Sequence, residues 1–594
     1  MNATTALAAV RAAYERISRV ERPEVWISLR HMNEVAQEAN ALDARVAAGD
    51  DLPLAGRLLA VKDNIDVAGL PTTAGCPDFA YLPTADAPVV ARLRAAGAIV
   101  LGKTNLDQFA TGLVGTRSPY GAVRDSRRPT YVSGGSSSGS AVAVALGIVD
   151  LALGTDTAGS GRVPASYQGV VGLKPTRGLV PTLGVVPACR ELDVVSVFAP
   201  DVVAASEALA VMAGVDPRDP TSRPWPTDTP LAAPPGPRVG VPDEALLATL
   251  DPSVRAALAE AAHRLEAAGA RLVVVDASPV IDAGRLLYGG SFVAQRYAAY
   301  GSWAAAHPDS MDPTVRTIVA QAADVLAHDY VADVERLDRL RLTTAALLAD
   351  LDVLLLPTVG EQPSIVEVAA DPIGVNARLG RFTNGCNLLN LCAVAVPSWE
   401  AEDGAQVGVS LIAPAFHDHV AMQVAAMVTN ELPPAVLLPA GTPSAPGQFP
   451  LVVVGAHLSG LPLNHTLTSR GARLVGECRT AASYRLVDLG GSPRRPGLVP
   501  AQVGGAPVTA ELWLLPPAHV GSFLATVVPG LSLGPVELAD GTRPTGFLCD
   551  AGVAAQGLDI TEHGGWRAYL GHLARQEGSQ LRELSEHQPE RQPS

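Results

Sequence analysis

Helix-type and strand-type hydrophobic patterns alternate over the first 430 residues of the chain. Near the start, four apolar residues recur at helical spacing among charged ones and predict an amphipathic helix: Leu7, Val10, Tyr14 and Ile17. Asp251 followed by Pro252 is typical of a helix start, and predicts a helix through Ala268 and then a strand over 271–276. The apolar run 350–356 predicts another buried strand. Such alternation indicates an α/β protein with helices on both faces of a sheet.

The composition of the chain changes after residue 430. Residues 431–450 are rich in Pro, Gly, Ala and Ser, as interdomain linkers are. A strand-like run over 451–455 then opens a second domain, predicted over 451–571, with a further strand candidate at 510–515. The polar tail 572–594 is predicted to be disordered. The first domain is therefore predicted over 1–430.

Composition narrows the class of protein. Of 594 residues, 48% are hydrophobic and 17% are charged, so global disorder is excluded. The net charge is −15, and Lys and Arg form no run longer than two, so neither nucleic acid nor an anionic membrane is an expected partner. The longest apolar run, 141–149, is too short to cross a bilayer. A soluble, cytoplasmic protein is expected.

Two loops rich in glycine and serine stand out, over 133–141 and 154–165. The first could cradle an anion on backbone N–H groups, but no Lys-Ser/Thr completes a phosphate-binding loop. Its stretch 135–139 also fits the nucleophile elbow of esterases with Ser137 as nucleophile, although the segment before it is a poor strand. A plain flexible loop is the structural alternative.

Histidine is scarce in this part of the chain, where His31 is the only one among the first 262 residues. A lysine is the natural alternative as base for a nucleophilic serine, because burial can lower its pKa by several units. Lys62 follows the apolar run 58–61, which places it at a strand end. The alternative interpretation is a lysine that leaves a strand for solvent.

Several motifs within residues 55–190 keep the order and spacing of a known family: GRLLAVKDNIDVAGLPTTAG, GKTNLDQFATG, GGSSSGSA, LGTDTAGSGRVPAS and GLKPTRG. They resemble the amidase signature family, and the resemblance extends over about 430 residues. It implies a mixed central sheet covered by helices. It also implies a triad in which Ser160 is the nucleophile, Ser136, in a cis peptide, relays a proton, and Lys62 is the terminal base.

The turn that precedes the implied nucleophile consists of small residues, which leaves backbone N–H groups free to bind an oxyanion. The amides implied for this role are those of Thr157, Ala158 and Gly159. Asp156 and Lys174 we interpret as structural residues despite their place in the motifs.

One departure refines the resemblance, since most family members carry glycine where this chain has Ala158. This variant, followed by GSGRVPA, is similar to the allophanate hydrolases within the family. By the same likeness, Tyr288 and Arg296 in the segment 286–297 bind a substrate carboxylate, which suits an Arg fork and a Tyr hydroxyl. Their separation of eight residues places them about two helical turns apart on one face. Gly112 is a weaker candidate, for backbone contact with the substrate amide.

On the residues alone, Tyr288 and Arg296 would be ordinary core or surface positions. The segment also departs from those relatives, which often have Glu, Pro and Trp at three positions where this chain has Gly289, Ser291 and Phe292. The wall of the pocket is therefore expected to differ.

Three motifs of the second domain, VVVGAHLSGLPLNHTL, TAASYRLVDLGG and LDITEHGGWRAYL, resemble the domain that follows the amidase in allophanate hydrolases. The resemblance implies a small α/β fold like that of γ-glutamyl cyclotransferases and a role in decarboxylating the amidase product. His457 is the candidate for proton transfer or anion binding, with a structural histidine in a turn as the alternative. Further candidates for the pocket wall, or equally for packing, are Tyr484, Arg485, Trp566 and Arg567.

Neither a metal nor an organic cofactor is expected. His417 and His419 lack a third ligand at useful spacing, and the Met-Lys-Met sequence that carries biotin is absent. The six cysteines contain no C-x-x-C pair and form no disulfide framework: Cys76, Cys189, Cys386, Cys392, Cys478 and Cys549.

The resemblance implies hydrolysis of allophanate (urea-1-carboxylate) through an acyl-enzyme, which releases ammonia and N-carboxycarbamate and finally yields two ammonia and two carbon dioxide. The nearest alternative is another amidase with a malonamate-like or biuret-like substrate. A transamidating enzyme that makes aminoacyl-tRNA is disfavoured by the acidic charge, and an inactive scaffold by the intact triad. An esterase that uses Ser137 also stays open. Relatives are often dimers, so a homodimer is expected.

Overall fold

The computed structural model describes residues 5–434 and 448–586, with side chains to residue 576. Residues 435–447, most of the predicted linker, lie outside this description, as do residues 587–594. The chain forms two compact units, described separately below.

The large unit comprises Met1–Pro226 and Gly236–Thr442, and the small unit comprises Thr227–Pro235 and Pro443–Ser594. The small unit therefore includes a nine-residue segment that the sequence analysis assigned to the first domain. Within the small unit, the Leu231 amide donates to the Leu474 carbonyl at 3.2 Å, a contact between residues far apart in the chain. Such a contact leaves no local signal in the sequence.

The large unit contains one sheet of eleven strands. These are β1 Trp26–Leu29, β2 Leu58–Lys62, β3 Ile99–Thr104, β4 Leu151–Asp156, β5 Val171–Lys174, β6 Val194–Ala199, β7 Arg238–Pro242, β8 Arg271–Val275, β9 Val353–Pro357, β10 Cys392–Glu400 and β11 Gln406–Ala413.

Helices cover this sheet. They are α1 Ala6–Val20, α2 Met32–Ala47, α3 Pro88–Ala95, α4 Ser138–Ala145, α5 Arg162–Gln168, α6 Val202–Met212, α7 Glu244–Leu247, α8 Pro252–Ala267, α9 Ser278–Gly289, α10 Ala294–Arg296, α11 Ser302–Ala306, α12 Pro313–Ala322, α13 Ala327–Leu348, α14 Ile365–Ala370, α15 Gly374–Leu379, α16 Asn384–Leu388 and α17 Asp418–Thr429. The helices predicted near the N-terminus and after Asp251 are α1 and α8.

The strand order is β1-β3-β2-β4-β6-β5-β10-β11-β9-β7-β8, with both parallel and antiparallel neighbours. The predicted mixed central sheet covered by helices is thus confirmed. Strands β2, β4 and β9 are buried along their whole length, which explains their unbroken apolar runs. Because β2 and β4 are parallel neighbours, their carboxyl ends meet at one edge of the sheet.

The small unit is rich in β-strands. Five of them form one sheet, in the order β13-β16-β12-β18-β17, and three form another, in the order β15-β14-β19. The strands are β12 Phe449–Val453, β13 Arg473–Arg479, β14 Tyr484–Asp488, β15 Pro496–Pro500, β16 Thr509–Leu515, β17 Leu531–Pro535, β18 Thr545–Cys549 and β19 Leu558–Asp559. The helices are α18 His465–Thr468, α19 Pro517–Leu524, α20 Ala551–Ala554 and α21 Trp566–Glu586. The resemblance to γ-glutamyl cyclotransferases stays a prediction.

Helix α21 differs from the predicted disordered tail. It continues to Glu586, beyond the point at residue 572 where disorder was expected. Its start is anchored by Trp566 and Tyr569, both buried, and a helix that begins on an anchored turn can extend over polar residues. No helix among those described is long and apolar enough to span a membrane.

One buried ion pair joins β2 to β3. The Lys103 ammonium lies 3.2 Å from Asp63 Oδ1, and neither side chain is exposed. Burial raises the pKa of Asp63 and lowers that of Lys103, while each charge opposes the shift of the other. The Thr73 amide donates to the second carboxylate oxygen at 2.9 Å, so the pair also holds the loop after β2.

Replacing Lys103 by methionine is expected to lower the free energy of unfolding of the large unit by about 3–5 kcal/mol, because it leaves Asp63 buried without a counter-charge. Urea denaturation measures this change. The exposed pair Arg45–Asp50 provides the control, since Arg45→Met should cost less than about 1 kcal/mol. Equal effects of the two substitutions would contradict the prediction.

Candidate active site

Lys62 occupies the last position of β2 and is completely buried. Its ammonium nitrogen lies 2.8 Å from Ser136 Oγ and 2.8 Å from Thr155 Oγ1. Burial lowers its pKa from 10.5 to about 7, against the opposing charges of three buried carboxylates. These are Asp107, Asp156 and Asp193. At neutral pH a substantial fraction of the lysine is therefore neutral and able to accept a proton.

Ser136 belongs to the glycine-serine loop that leads into α4. The Gly135–Ser136 peptide is cis, as the family resemblance implied. The Ser136 carbonyl accepts a hydrogen bond from the Asp107 amide at 3.1 Å, which fixes the loop beside the lysine. The structure thus brings Lys62 and Ser136 into hydrogen-bond contact.

Ser137, the alternative nucleophile, has a different environment. Its hydroxyl donates to the Thr155 carbonyl at 3.1 Å, and its amide donates to the Ser160 carbonyl at 3.3 Å. No strand precedes the loop directly, as a nucleophile elbow would require. These bonds make Ser137 a connection between two loops.

Ser160 lies in the turn between β4 and α5 and is almost entirely buried. Its hydroxyl donates to the Gly112 carbonyl at 3.4 Å. A Cβ atom at Gly112 would lie 2.5 Å from Asp107 Oδ2, so no side chain fits at this position. Gly112, the candidate for backbone contact with the substrate amide, thus lies next to the Ser160 hydroxyl.

Asp156 holds the turn in place. Its carboxylate accepts both Arg162 Nε, at 2.9 Å, and Arg162 Nη2, at 3.0 Å, and both side chains are fully buried. Burial alone would raise the pKa of Asp156, but the Arg162 charge and hydrogen bonds outweigh it, so the pKa is lowered. The Gly161 amide also donates to this carboxylate, at 3.1 Å. This agrees with the structural role expected for Asp156.

The three amides predicted to bind an oxyanion are not equivalent. The Gly159 amide donates to Asp156 Oδ1 at 2.8 Å and is therefore engaged. Among the described residues, no backbone or side-chain acceptor takes the amide of Thr157 or Ala158. The prediction that the Gly159 amide binds an oxyanion thus does not fit this geometry, because the Asp156 carboxylate already accepts this N–H group.

Arg296 and Tyr288 are in contact, although not along one helix. Tyr288 lies near the end of α9, and the chain turns before Arg296 ends the short helix α10. The expected geometry of two turns on one helical face is therefore wrong. Arg296 Nη2 nevertheless donates to the Tyr288 hydroxyl at 2.6 Å, and Nη1 donates to Thr111 Oγ1 at 2.9 Å.

The Arg296 guanidinium is fully buried, and its Nε has no hydrogen-bond partner among the described residues. Its hydrogen bonds go to neutral hydroxyl groups, and no carboxylate of the described chain forms an ion pair with it. A buried cation of this kind favours an anionic ligand. Thr111, which contacts the cation, immediately precedes Gly112, which contacts the Ser160 hydroxyl, so consecutive residues connect the two groups.

Sequence reasoning missed four residues that complete this arrangement. Thr155 contacts the lysine, Asp107 shapes the loop around Gly112, and Thr111 positions Arg296. Asp193 accepts from the Thr157 hydroxyl at 2.5 Å and lies near Arg296. Thr155, Thr111 and Asp107 stand inside the quoted motifs, whereas nothing in the sequence distinguishes Asp193.

His457 in the small unit stacks on Phe547, with ring centres 5.0 Å apart, and borders a cavity of about 70 Å³ together with Arg495. Burial, followed by the charges of Arg495 and His465, lowers its pKa to about 4, so it is neutral at pH 7. The four other candidates of this unit do not line that cavity. They form separate contacts: Tyr484 with Glu537, Arg485 with Asp559, Trp566 in the core, and Arg567 with Glu511.

Within the described ranges, no three His, Cys, Asp or Glu side chains are grouped as a metal site would require. His419 stacks on Trp225, with ring centres 4.9 Å apart.

Two family profiles match this chain. The amidase family profile matches residues 8–421, and the allophanate hydrolase C-terminal domain profile matches residues 449–571. The urea amidolyase of Lachancea kluyveri is 40% identical over 94% of this chain and 32% of its own length. A glutamyl-tRNA(Gln) amidotransferase subunit of Natronomonas pharaonis is 38% identical over 62% of this chain and 93% of its own length.

The solved structure of Kluyveromyces lactis allophanate hydrolase superimposes with a TM-score of 0.77 and 38% identity, covering 96% of this chain and 97% of that one. The chain spans about a third of the length of the urea amidolyases that it matches.

The buried lysine predicts an unusual pH dependence of stability. The unfolded chain keeps the Lys62 proton up to pH 10.5, whereas the folded chain releases it near pH 7. Folding is therefore penalised fully below pH 7, and the penalty disappears as the pH rises to 10.5.

Replacing Lys62 by methionine should remove this penalty. We expect the gain in free energy of unfolding to be about 4 kcal/mol larger at pH 6 than at pH 10. Urea denaturation at the two pH values measures it, with Arg57→Met, at a half-exposed position, as the control. A gain that is the same at both pH values would show that the lysine titrates normally.

Proposed function

The chain belongs to the amidase family, and from this premise we propose that it hydrolyses allophanate, with Ser160 as nucleophile, Ser136 as proton relay and Lys62 as terminal base. The observation that carries the choice of substrate is the buried Arg296 guanidinium, which has no carboxylate partner among the described residues. It contacts Thr111, the residue before Gly112, whose carbonyl accepts from the proposed nucleophile. Allophanate is a small amide with a carboxylate at the other end. Its charged end matches Arg296, and its amide end matches the serine.

Substrate binding in this proposal uses both ends of the molecule. Arg296 and the Tyr288 hydroxyl take the carboxylate, which gives the buried cation its counter-charge. The Gly112 carbonyl, already 3.4 Å from Ser160 Oγ, then lies beside the terminal amide. Fixing both ends holds the amide carbon in reach of the serine oxygen, which is the main benefit of a two-point contact.

The Lys62–Ser136 hydrogen bond supplies one step of the proposed proton relay, whereas the Ser160 hydroxyl donates to the Gly112 carbonyl before substrate binds. Neutral Lys62 accepts the proton of Ser136, which in turn accepts the proton of Ser160 as its Oγ attacks the amide carbon. The negative charge that forms on the carbonyl oxygen is stabilised by the amides of Thr157 and Ala158, since that of Gly159 is engaged by Asp156. The proton then returns through Ser136 to the leaving nitrogen, and ammonia departs.

Water hydrolyses the acyl-enzyme by the same relay and releases N-carboxycarbamate. We assign the subsequent loss of carbon dioxide to the small unit, where neutral His457 and cationic Arg495 share a cavity. Arg495 supplies a charge for one carboxylate. Neutral His457 can relay a proton, accepting one from water at one ring nitrogen as the other gives its own to the substrate nitrogen and the C–N bond breaks. The remaining carbamate breaks down to ammonia and carbon dioxide, which gives two of each overall.

Malonamate is the second candidate substrate, because it also joins a carboxylate to a terminal amide and would use Arg296 in the same way. The proposal extends to a cytoplasmic location and to a homodimer. Sedimentation of the purified chain tests the homodimer. No cofactor takes part in any step.

Replacing Ser160 by alanine should reduce ammonia release from allophanate by about 10⁴-fold or more, because the attacking oxygen is lost. The matched control is Ser137→Ala in the neighbouring loop, which should retain activity within about tenfold. Ammonia assays of the purified variants measure both rates. Loss of activity in the Ser137 variant alone would favour the esterase-type nucleophile instead.

Replacing Arg296 by glutamine should lower kcat/KM for allophanate by about 10²–10³-fold, since the substrate carboxylate loses a buried charged partner. Activity on a neutral amide such as propionamide should change less than about threefold, and this internal control reports intact folding. Wild-type protein that prefers neutral amides to allophanate would overturn the proposed carboxylate site, whatever the Ser160 variant does.

A further inference from the structure

The large unit contains a cavity of about 450 Å³ that none of the proposed catalytic and substrate-binding residues lines. It lies at the start of β10 and the end of β11, where Cys392 pairs with Ala413. Three steps across the sheet separate β10 from β4, which carries the nucleophile turn. At a strand spacing of about 4.8 Å, the cavity lies roughly 14 Å from that turn along the same edge.

The wall of this cavity is mainly apolar. Four leucines line it: Leu348, Leu351, Leu389 and Leu391. All four are buried and belong to the core cluster of this part of the unit. A mostly apolar cavity of a few hundred Å³ with a small number of polar groups is typical of sites for small organic ligands.

Three polar side chains on the wall have unused hydrogen-bonding capacity. The Thr344 hydroxyl, on a residue that is 2% exposed, has no partner among the described residues. The Asn390 oxygen accepts from Arg223 at 2.9 Å, and its amide nitrogen makes no hydrogen bond to another described residue. Burial lowers the pKa of His417 to about 4, so its ring is a neutral donor and acceptor at pH 7.

Three arginines surround the cavity, and two acids lie near them: Asp418 near Arg223 and Glu191 near Arg177. Arg341 lies on the wall, and Arg223 reaches it through Asn390. Arg177 is close enough that, after burial, the charges of these two arginines lower its pKa. The one carboxylate paired with Arg341 is that of Asp338, which is 61% exposed.

The wall is also held rigidly. Arg341 donates to the Leu388 carbonyl from Nε at 3.3 Å and from Nη2 at 3.0 Å. The preceding residue, Asn387, donates to the Asp156 carbonyl at 2.7 Å. The segment that borders the cavity is therefore fixed by bonds to the nucleophile turn, and a ligand would enter a site that is already formed.

From the apolar wall, the unused polar groups and the surrounding arginines, we propose that this cavity binds a small apolar carboxylate. The carboxylate group would lie near Arg341, Thr344 and Asn390, and the hydrocarbon part would pack on the leucines. This site is separate from the one proposed to bind the substrate and does not depend on the proposed reaction.

Isothermal titration of the full chain with hexanoate at pH 7, compared with the neutral analogue 1-hexanol, tests the proposal. We expect hexanoate to bind with one-to-one stoichiometry and at least tenfold more tightly than hexanol. Ala345→Trp, at an exposed helix position on the rim of the cavity, should weaken hexanoate binding at least tenfold. Ala346→Trp, at the adjacent exposed position that is not part of the wall, is its matched control and should bind as wild type.

A second pair of variants tests the charge. Arg341→Gln should weaken binding about tenfold, whereas Arg339→Gln, at an exposed position of the same helix, should change it less than twofold. Thermal melting confirms that all four variants fold. Absence of hexanoate binding at millimolar concentration would overturn the proposal, as would binding that survives Ala345→Trp but is lost in Arg296→Gln, which would place the carboxylate in the catalytic site.

Discussion

The amine of Lys62 is kept away from water at the carboxyl end of β2, and the rest of the large unit depends on this burial. An exposed lysine stays protonated at neutral pH, whereas here its pKa falls to about 7. The three buried carboxylates nearby oppose this shift, but burial outweighs them, and each carboxylate is satisfied by other donors. Asp107 accepts backbone amides, Asp193 accepts Thr157, and Asp156 accepts Arg162. The loops are therefore built to satisfy these acids with other donors and to leave the lysine amine beside hydroxyl groups.

Two of these acids, Asp156 and Asp107, order loops of the site. Asp156 takes the amides of Gly159 and Gly161, and Asp107 takes the amides of Gly115 and Arg117. Each loop is thereby fixed from inside by a charge-assisted bond, which replaces water and limits movement. Fixed loops cost little reorganisation when charge develops in a reaction. Stability and the proposed chemistry thus rely on one set of bonds.

The arginines of this unit differ in how completely their charge is paired. Arg162 is neutralised by a two-point contact with Asp156 and is structural. Arg296 is equally buried but meets only hydroxyl groups, which leaves its charge available to a ligand. Arg341, which borders the cavity of about 450 Å³, is intermediate. It is partly exposed, and its carboxylate partner, Asp338, is itself exposed. How completely an arginine is paired therefore separates the structural Arg162 from the arginines that we propose to bind ligands.

The sequence by itself determined the local elements and the motif residues. Lys62, Ser136 and Ser160 stand in short motifs, and the buried strands follow from unbroken apolar runs. Only the tertiary structure decided which residues meet across the chain: Thr111 and Arg296 are 185 residues apart, and Asn387 and Asp156 are 231 apart. The nine residues that join the small unit belong to the same class. The engagement of the Gly159 amide and the break between Tyr288 and Arg296 are local, but the hydrophobic pattern does not report them. Hydrophobic periodicity predicts the helix or strand to which a residue belongs. Its long-range partners depend on how the helices and strands pack together in the whole fold.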